Sequence, residues 1–243
     1  MRAIISLAAL AAVSVAFAAD PPPRYEFKKD HDPDGIGKFY MGREIAQVMG
    51  YSAAGWLDRT AREKEEEPAK LLEALKLRPG DVVADVGAGS GYYTFRLAAA
   101  VGPKGKVYAN DIQKEMLEII TKRKDKEKAG NVETILGTQT DAKLPENKVD
   151  LILLVDVYHE FSHPYEMTES MLKSLKPGGR LVFVEYRLED PEVPIKLVHK
   201  MSQKQVLKEM GNHPALKYVK TVDVLPWQHI IIFEKKAEKP ADK

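Results

Sequence analysis

From residue 82 to residue 186 the chain alternates two patterns. Short, continuous apolar runs rich in β-branched residues are followed by longer stretches in which apolar positions recur every three or four residues. Runs of the first kind lie at 82–86, 106–112, 132–136, 149–157 and 180–186, and read as strands covered on both faces. Stretches of the second kind follow residue 92 (Phe95, Leu97, Val101), at 114–128 (Met116, Leu117, Ile119, Ile120) and at 164–175, and read as helices. A helix over 202–211 and two strands over 216–225 and 229–234, separated by Pro226-Trp227, complete the pattern. Alternating β and α units with short connections predict a doubly wound parallel α/β sheet, and the last two strands are close enough to pair antiparallel.

Before residue 78 the pattern is different. Residues 20–37 are rich in Pro, Asp, Lys and Gly, show no period and read as a linker, with 31–35 as a polar turn. Ile45, Val48 and Met49 fall at helical spacing, Trp56 and Leu57 belong to a second helix capped by Ser52, and 63–77 reads as an amphipathic helix with Glu65-Glu66-Glu67 on its solvated face. The segment 38–77 is therefore expected to be helical, the main domain to run 78–235, and the charged stretch 236–243 to be a frayed tail.

Composition adds a location and removes some chemistries. Met1-Arg2, an apolar run from residue 4 to 15 and Ala16-Phe17-Ala18 have the layout of a secretory signal peptide over about 1–19. That run is shorter than the roughly 20 residues needed to cross a bilayer, so export to the periplasm or medium is expected, with no membrane anchor after cleavage. The 243 residues include no cysteine, which removes disulfides, thiolate ligands and cysteine nucleophiles. A net charge of +1, with basic residues not interleaved with aromatics in any stripe, gives no reason to expect a nucleic-acid partner.

The candidate chemistry begins at Asp85-Val86-Gly87-Ala88-Gly89-Ser90-Gly91. A strand ending in an acid, a glycine turn and a helix start make a nucleotide-like cofactor site. Asp111 ends the next strand about 20 residues on, where an acid accepts hydrogen bonds from ribose hydroxyls. This fits a nicotinamide dinucleotide and S-adenosylmethionine alike. The dinucleotide fingerprint is G-x-G-x-x-G, whereas here the glycines run G-x-G-x-G and Tyr92 follows. The stretch resembles motif I of class I S-adenosylmethionine-dependent methyltransferases. Asp111 is similar to their strand-two acid, Asp141-Ala142 to their adenine-contacting pair, and residues 175–181 to their entry into strand five. The resemblance spans about 65–235 and implies a Rossmann-like seven-stranded sheet with an antiparallel C-terminal strand. It also implies a cofactor-binding set of Asp85, Gly87, Ala88, Gly89, Gly91, Asp111, Ile112, Asp141, Ala142 and Asp156, with S-adenosylmethionine as cofactor, a small-molecule or lipid-like acceptor and no metal.

The loop Tyr158-His159-Glu160-Phe161-Ser162-His163 follows the fourth strand of the domain. Under this resemblance Tyr158, His159 and Glu160 are the catalytic candidates. His159 is the expected base, and Glu185-Tyr186-Arg187, Tyr40, Met41, Arg43, Trp56 and Arg59 are expected to complete the pocket or a lid. A second reading is an exported zinc hydrolase, because His159-Glu160-x-x-His163 matches H-E-x-x-H. That motif needs both histidines on one helix, and Pro164 disfavours helical geometry at His163. A third reading is a module that binds the cofactor without catalysis.

Overall fold

The computed structural model describes residues 23–237; the predicted signal peptide, and the tail beyond 237, lie outside them. A three-stranded antiparallel sheet comes first, with β1 at Tyr25–Phe27, β2 at Gly35–Tyr40 and β3 at Arg43–Ala46. Short helices α1 (Ala54–Leu57) and α2 (Arg62–Glu65) and the longer α3 (Pro68–Leu75) lead into the main domain.

The domain then alternates as expected. Strand β4 (Val82–Val86) is followed by α4 (Tyr92–Val101), β5 (Lys106–Asp111), α5 (Lys114–Glu127) and β6 (Val132–Leu136). Then come β7 (Val149–Val155), α6 (Pro164–Ser174), β8 (Leu175–Tyr186), α7 (Gln203–Met210), β9 (Leu216–Val222) and β10 (Gln228–Lys235). The seven strands are ordered β6-β5-β4-β7-β8-β10-β9, and β10 runs antiparallel to both of its neighbours. Alternation along β7 sends Leu151 and Leu153 into the core beneath α3, α4 and α5, and Ile152 and Leu154 into the core beneath α6 and α7. The order reverses between β4 and β7, so a crevice opens beyond their carboxyl ends.

The N-terminal expectations are corrected in three places. Strand β1 and the start of β2 lie in the stretch read as linker. The signal was hidden because β2 buries Gly35, Gly37 and Lys38 while exposing Ile36, the reverse of an apolar alternation. The helix expected at 45–49 is instead β3, where Ile45 and Ala46 are buried as the end of an edge strand. The helix expected over 63–77 breaks in two. Pro68 keeps Glu67 out of the helical region, and Glu67 sits at φ 44. The small sheet is tied to the main domain by Arg43, whose Nε donates to Glu209 Oε1 of α7 at 2.8 Å, and by Tyr25, whose hydroxyl donates to Glu166 of α6.

Candidate active site

The turn after β4 is built from backbone. Gly87, Gly89 and Gly91 take positive φ values of 73, 55 and 82. Gly87 N and Ala88 N donate to Asn110 O of the neighbouring strand at 2.8 and 2.9 Å. A Cβ on Gly87 would lie 2.3 Å from Val157 Cγ2, and one on Gly89 would lie 2.5 Å from Leu57 Cδ1, so only glycine lets this turn pack as it does. Asp111 stands over the turn: its Oδ2 accepts from Gly89 N and its Oδ1 from Gln113 N, both at 2.9 Å. Burial pushes its pKa up against these bonds. A carboxylate has about four acceptor positions, so two remain for ribose hydroxyls.

Asp85 is buried beneath the turn and accepts from Thr94 Oγ1 at 2.6 Å. Burial raises its pKa to about 6, with the Thr94 bond and nearby Arg62 opposing the shift. Asp85, Ala88 and Gly91 support the turn from below and do not line the cavity beside it. That cavity is about 450 Å³, within the range of roughly 300–1,000 Å³ usual for small-ligand sites. Gly87, Gly89, Asp111, Ile112 and Asp156 form one wall, as expected for cofactor-binding residues.

Asp156 holds a left-handed backbone conformation, φ 49, at the end of β7. Its Oδ2 accepts from Gln228 Nε2 at 2.7 Å, while its Oδ1 is shielded from solvent and has no partner among the described residues. Burial, then the charges of Glu66 and Glu185, push its pKa well up. A cationic ligand group is what such a carboxylate lacks.

Facing the same space is Arg62, which the sequence reading did not single out. Its Nε donates to Glu66 Oε2 at 2.7 Å, and its guanidinium lies 4.2 Å from the Tyr92 ring centroid. Glu66, expected on a solvated face, is fully buried and also accepts from Arg59 Nη2 and the Tyr186 hydroxyl, each at 3.1 Å. The acid run disguised it, because only the middle carboxylate turns inward.

These residues fit S-adenosylmethionine. Arg62 and the unpartnered Asp156 Oδ1 offer opposite charges to an amino-acid end, Asp111 keeps acceptors for a ribose, and Ile112 and Met116 give an apolar slot beyond it. The expected adenine pair is placed elsewhere. Asp141 is exposed, its Oδ1 accepts from Ser170 Oγ at 2.7 Å and Lys143 N at 2.8 Å, and its pKa is lowered by those bonds. Ala142 is buried with its N–H on Ser170 Oγ. Thr138 and Gln139, earlier in the same loop, reach the cavity instead.

At the other end the cavity meets a cluster of side chains. His159 and Glu160 lie on a 3-10 turn, Tyr158–Glu160, directly after β7. His159 Nδ1 is 2.6 Å from Glu185 Oε2, and its Nε2 is 3.2 Å from His199 Nδ1. Burial opposes charge on His159, but Glu185 outweighs it and the pKa is raised. His199 is pushed down to about 4 by burial and by His159. Burial raises Glu160 to about 7, although His159 and the Met49 N–H, which reaches both carboxylate oxygens at 3.3 Å, pull the other way.

Two expectations change here, and a third, that Pro164 keeps His163 out of the H-E-x-x-H geometry, is met. His159 is 2% exposed and both its ring nitrogens are engaged by protein groups, so it meets an acceptor only together with Glu160 and His199. Tyr158 is not in the cavity: it is fully buried, its hydroxyl donating to Glu209 Oε2 at 2.8 Å and its ring edge-on to Phe183. His163 does not join His159. It precedes α6, with Nδ1 on Ser162 Oγ at 3.0 Å and its ring against Tyr25, so no helix presents an H-E-x-x-H pair. His199 was missed because Leu197-Val198-His199 belongs to no motif.

Of the expected lid residues, Trp56 and Tyr186 line the cavity, whereas Tyr40, Met41, Arg43, Arg59 and Arg187 do not. A strap closes over it from the N-terminal side. Met49 N donates to Glu160, Met49 O accepts from Gln113 Nε2 at 2.9 Å, and Tyr51 N donates to Gln113 Oε1 at 2.8 Å.

Sheet order, glycine turn and ribose acid together define a class I S-adenosylmethionine-dependent methyltransferase. A family profile described as a methyltransferase domain matches residues 77–236, and the chain belongs to that family. It is similar to the ubiquinone/menaquinone biosynthesis C-methyltransferase of Ectopseudomonas mendocina, 35% identical over 116 residues, which cover 47% of this chain and 45% of that one. The enzyme of the same description from Shewanella sediminis is 32% identical over 58% of this chain and 56% of its own. The chain thus spans about half the length of the curated relatives it matches. Among solved structures it is similar to a SAM-dependent methyltransferase from Aquifex aeolicus, with a TM-score of 0.73 and 28% identity over 77% of this chain and 100% of that one.

Proposed function

We propose that the methyl acceptor is a small, lipid-like molecule whose reacting end is deprotonated at the cluster of His159, Glu160 and His199. The observation that carries this reading is the contrast within the acceptor half of the cavity. Val48, Met49, Trp56, Phe161 and Ile195 give it apolar walls, and the cluster gives it one polar end. Bound S-adenosylmethionine supplies an electrophilic methyl group on a sulfonium. The chain's own residues position the acceptor, exclude water and take up its proton; in such a displacement, alignment and desolvation supply much of the rate. The likeness to C-methyltransferases of ubiquinone/menaquinone biosynthesis supports an apolar acceptor.

The test is to give purified protein labelled S-adenosylmethionine and a cell extract. Label moving into an organic-soluble product supports the reading, and label confined to protein, nucleic acid or polar metabolites overturns it. Export is part of the same proposal. An N-terminus beginning near residue 19 or 20 in the protein recovered outside the cytoplasm would bear it out, and intact Met1 there would count against it.

A further inference from the structure

The polar end of the acceptor cavity brings two imidazoles and a carboxylate together. Glu185 Oε2 lies 2.6 Å from His159 Nδ1 and accepts a hydrogen bond from its N–H. The lone pair of His159 Nε2 is thereby turned toward His199 Nδ1, 3.2 Å away. Glu160 Oε1 lies 3.9 Å from His159 Nε2 and also 3.9 Å from His199 Nδ1. That is too long for a hydrogen bond to either ring, yet the oxygen is equidistant from both. Three potential ligand atoms therefore lie within 4.8 Å of one another.

We propose that this triangle is a binding site for a divalent first-row transition metal ion, held by His159 Nε2, His199 Nδ1 and the Glu160 carboxylate. Metal–nitrogen bonds of roughly 2.0–2.1 Å put tetrahedral ligands about 3.3 Å apart; the two nitrogens are already 3.2 Å apart, and the Glu160 oxygen, 3.9 Å from each, has to draw in by about 0.6 Å. Two imidazoles and one carboxylate suit zinc or iron(II) rather than magnesium or calcium, which prefer all-oxygen sets. Glu185 is the outer carboxylate that fixes the His159 tautomer and strengthens it as a ligand. The ligands come from the turn after β7 and from the 3-10 turn Leu197–His199, and all three line the cavity, so the remaining coordination positions face the acceptor.

This inference rests on the methyltransferase reading and narrows its acceptor to a phenol or enol. On the ion such a hydroxyl would be acidified and bind as its anion, its proton passing to the Glu160 carboxylate oxygen that is not on the metal. An electron pair of that oxygen, or of the carbon conjugated with it, forms the bond to the methyl carbon. The carbon–sulfur bond breaks with its pair going to sulfur, and the sulfonium becomes a neutral thioether.

The test uses the full chain, stripped by chelation and titrated with Co²⁺ and Zn²⁺, with S-adenosylhomocysteine binding measured on the same samples. Expected is one equivalent of Co²⁺ with a visible ligand-field spectrum, displaced by Zn²⁺. His199→Ala, at a partly exposed position, should lower metal affinity at least roughly 100-fold, and Glu185→Gln about 10–100-fold, while S-adenosylhomocysteine binding is kept. Saturable Co²⁺ uptake that is absent, or equal in wild type and His199→Ala, overturns the metal site and leaves the methyltransferase standing. Metal uptake that depends on His199, in protein that fails to bind S-adenosylhomocysteine, supports the site and overturns the methyltransferase reading instead.

Discussion

The two ends of the cavity are built on different principles. The cofactor end is a piece of continuous chain, 85–91, whose backbone amides are held by Asn110 and Asp111 of the next strand. The acceptor end is a collection of side chains, His159, Glu160, Glu185 and His199, with the Met49 N–H added from the N-terminal segment. One end depends on what the backbone can adopt. The other depends on which side chains arrive. The first tolerates almost no change at its glycines, whereas the second is free to vary in chemistry while the fold stays the same.

The comparison can be broken most severely at the acceptor end. Glu160→Gln should lower kcat by about 10²–10⁴-fold, the scale of a lost proton acceptor, and leave the cofactor Kd within about twofold. Steady-state kinetics beside calorimetric titration would show it; a matching loss of cofactor affinity would mean that the two ends are not separate. At the cofactor end, Gly87→Val should weaken S-adenosylmethionine binding by at least about 100-fold. It combines roughly 1–3 kcal/mol of left-handed strain with the clash on Val157, and its far-UV circular dichroism should stay native.

A smaller effect sharpens the cost of the cofactor end. Asp85 has a folded pKa of about 6, above its ordinary 3.8, so folding favours its protonated form. The stability this contributes is complete below pH 3.8 and is lost as the pH rises through about 6. Asp85→Asn should therefore stabilise the ligand-free fold by about 2–3 kcal/mol at pH 8 and by nothing measurable at pH 4, as urea unfolding at both pH values would show. The smallest effect is predicted for Asp141→Ala. Its carboxylate serves Ser170 and Lys143 rather than the cavity, so cofactor affinity should move by less than about threefold; a tenfold loss would restore it to the adenine site.

The same division explains what could be read from the chain alone. The alternation of β and α, the glycine turn and Asp111 are local patterns, and each is legible within a few residues. Strand β2 was not, because buried Gly37 and Lys38 carry no apolar alternation, and Lys38 is covered by packing its ammonium 4.0 Å from the Tyr25 ring centroid. Glu66 was hidden inside a run of like charges, and only the arrival of Arg59, Arg62 and Tyr186 tells it from its neighbours. His199 is an isolated histidine in sequence, and it gains meaning only because the chain after β8 returns to the turn after β7.

The strap at Met49 joins the two ends. Its N–H rests on Glu160 of the acceptor cluster, and its carbonyl is held by Gln113, two residues beyond the ribose acid. The same residue therefore touches both ends. An acceptor that shifted this residue would change cofactor affinity, and the cofactor would then change acceptor affinity by the same factor.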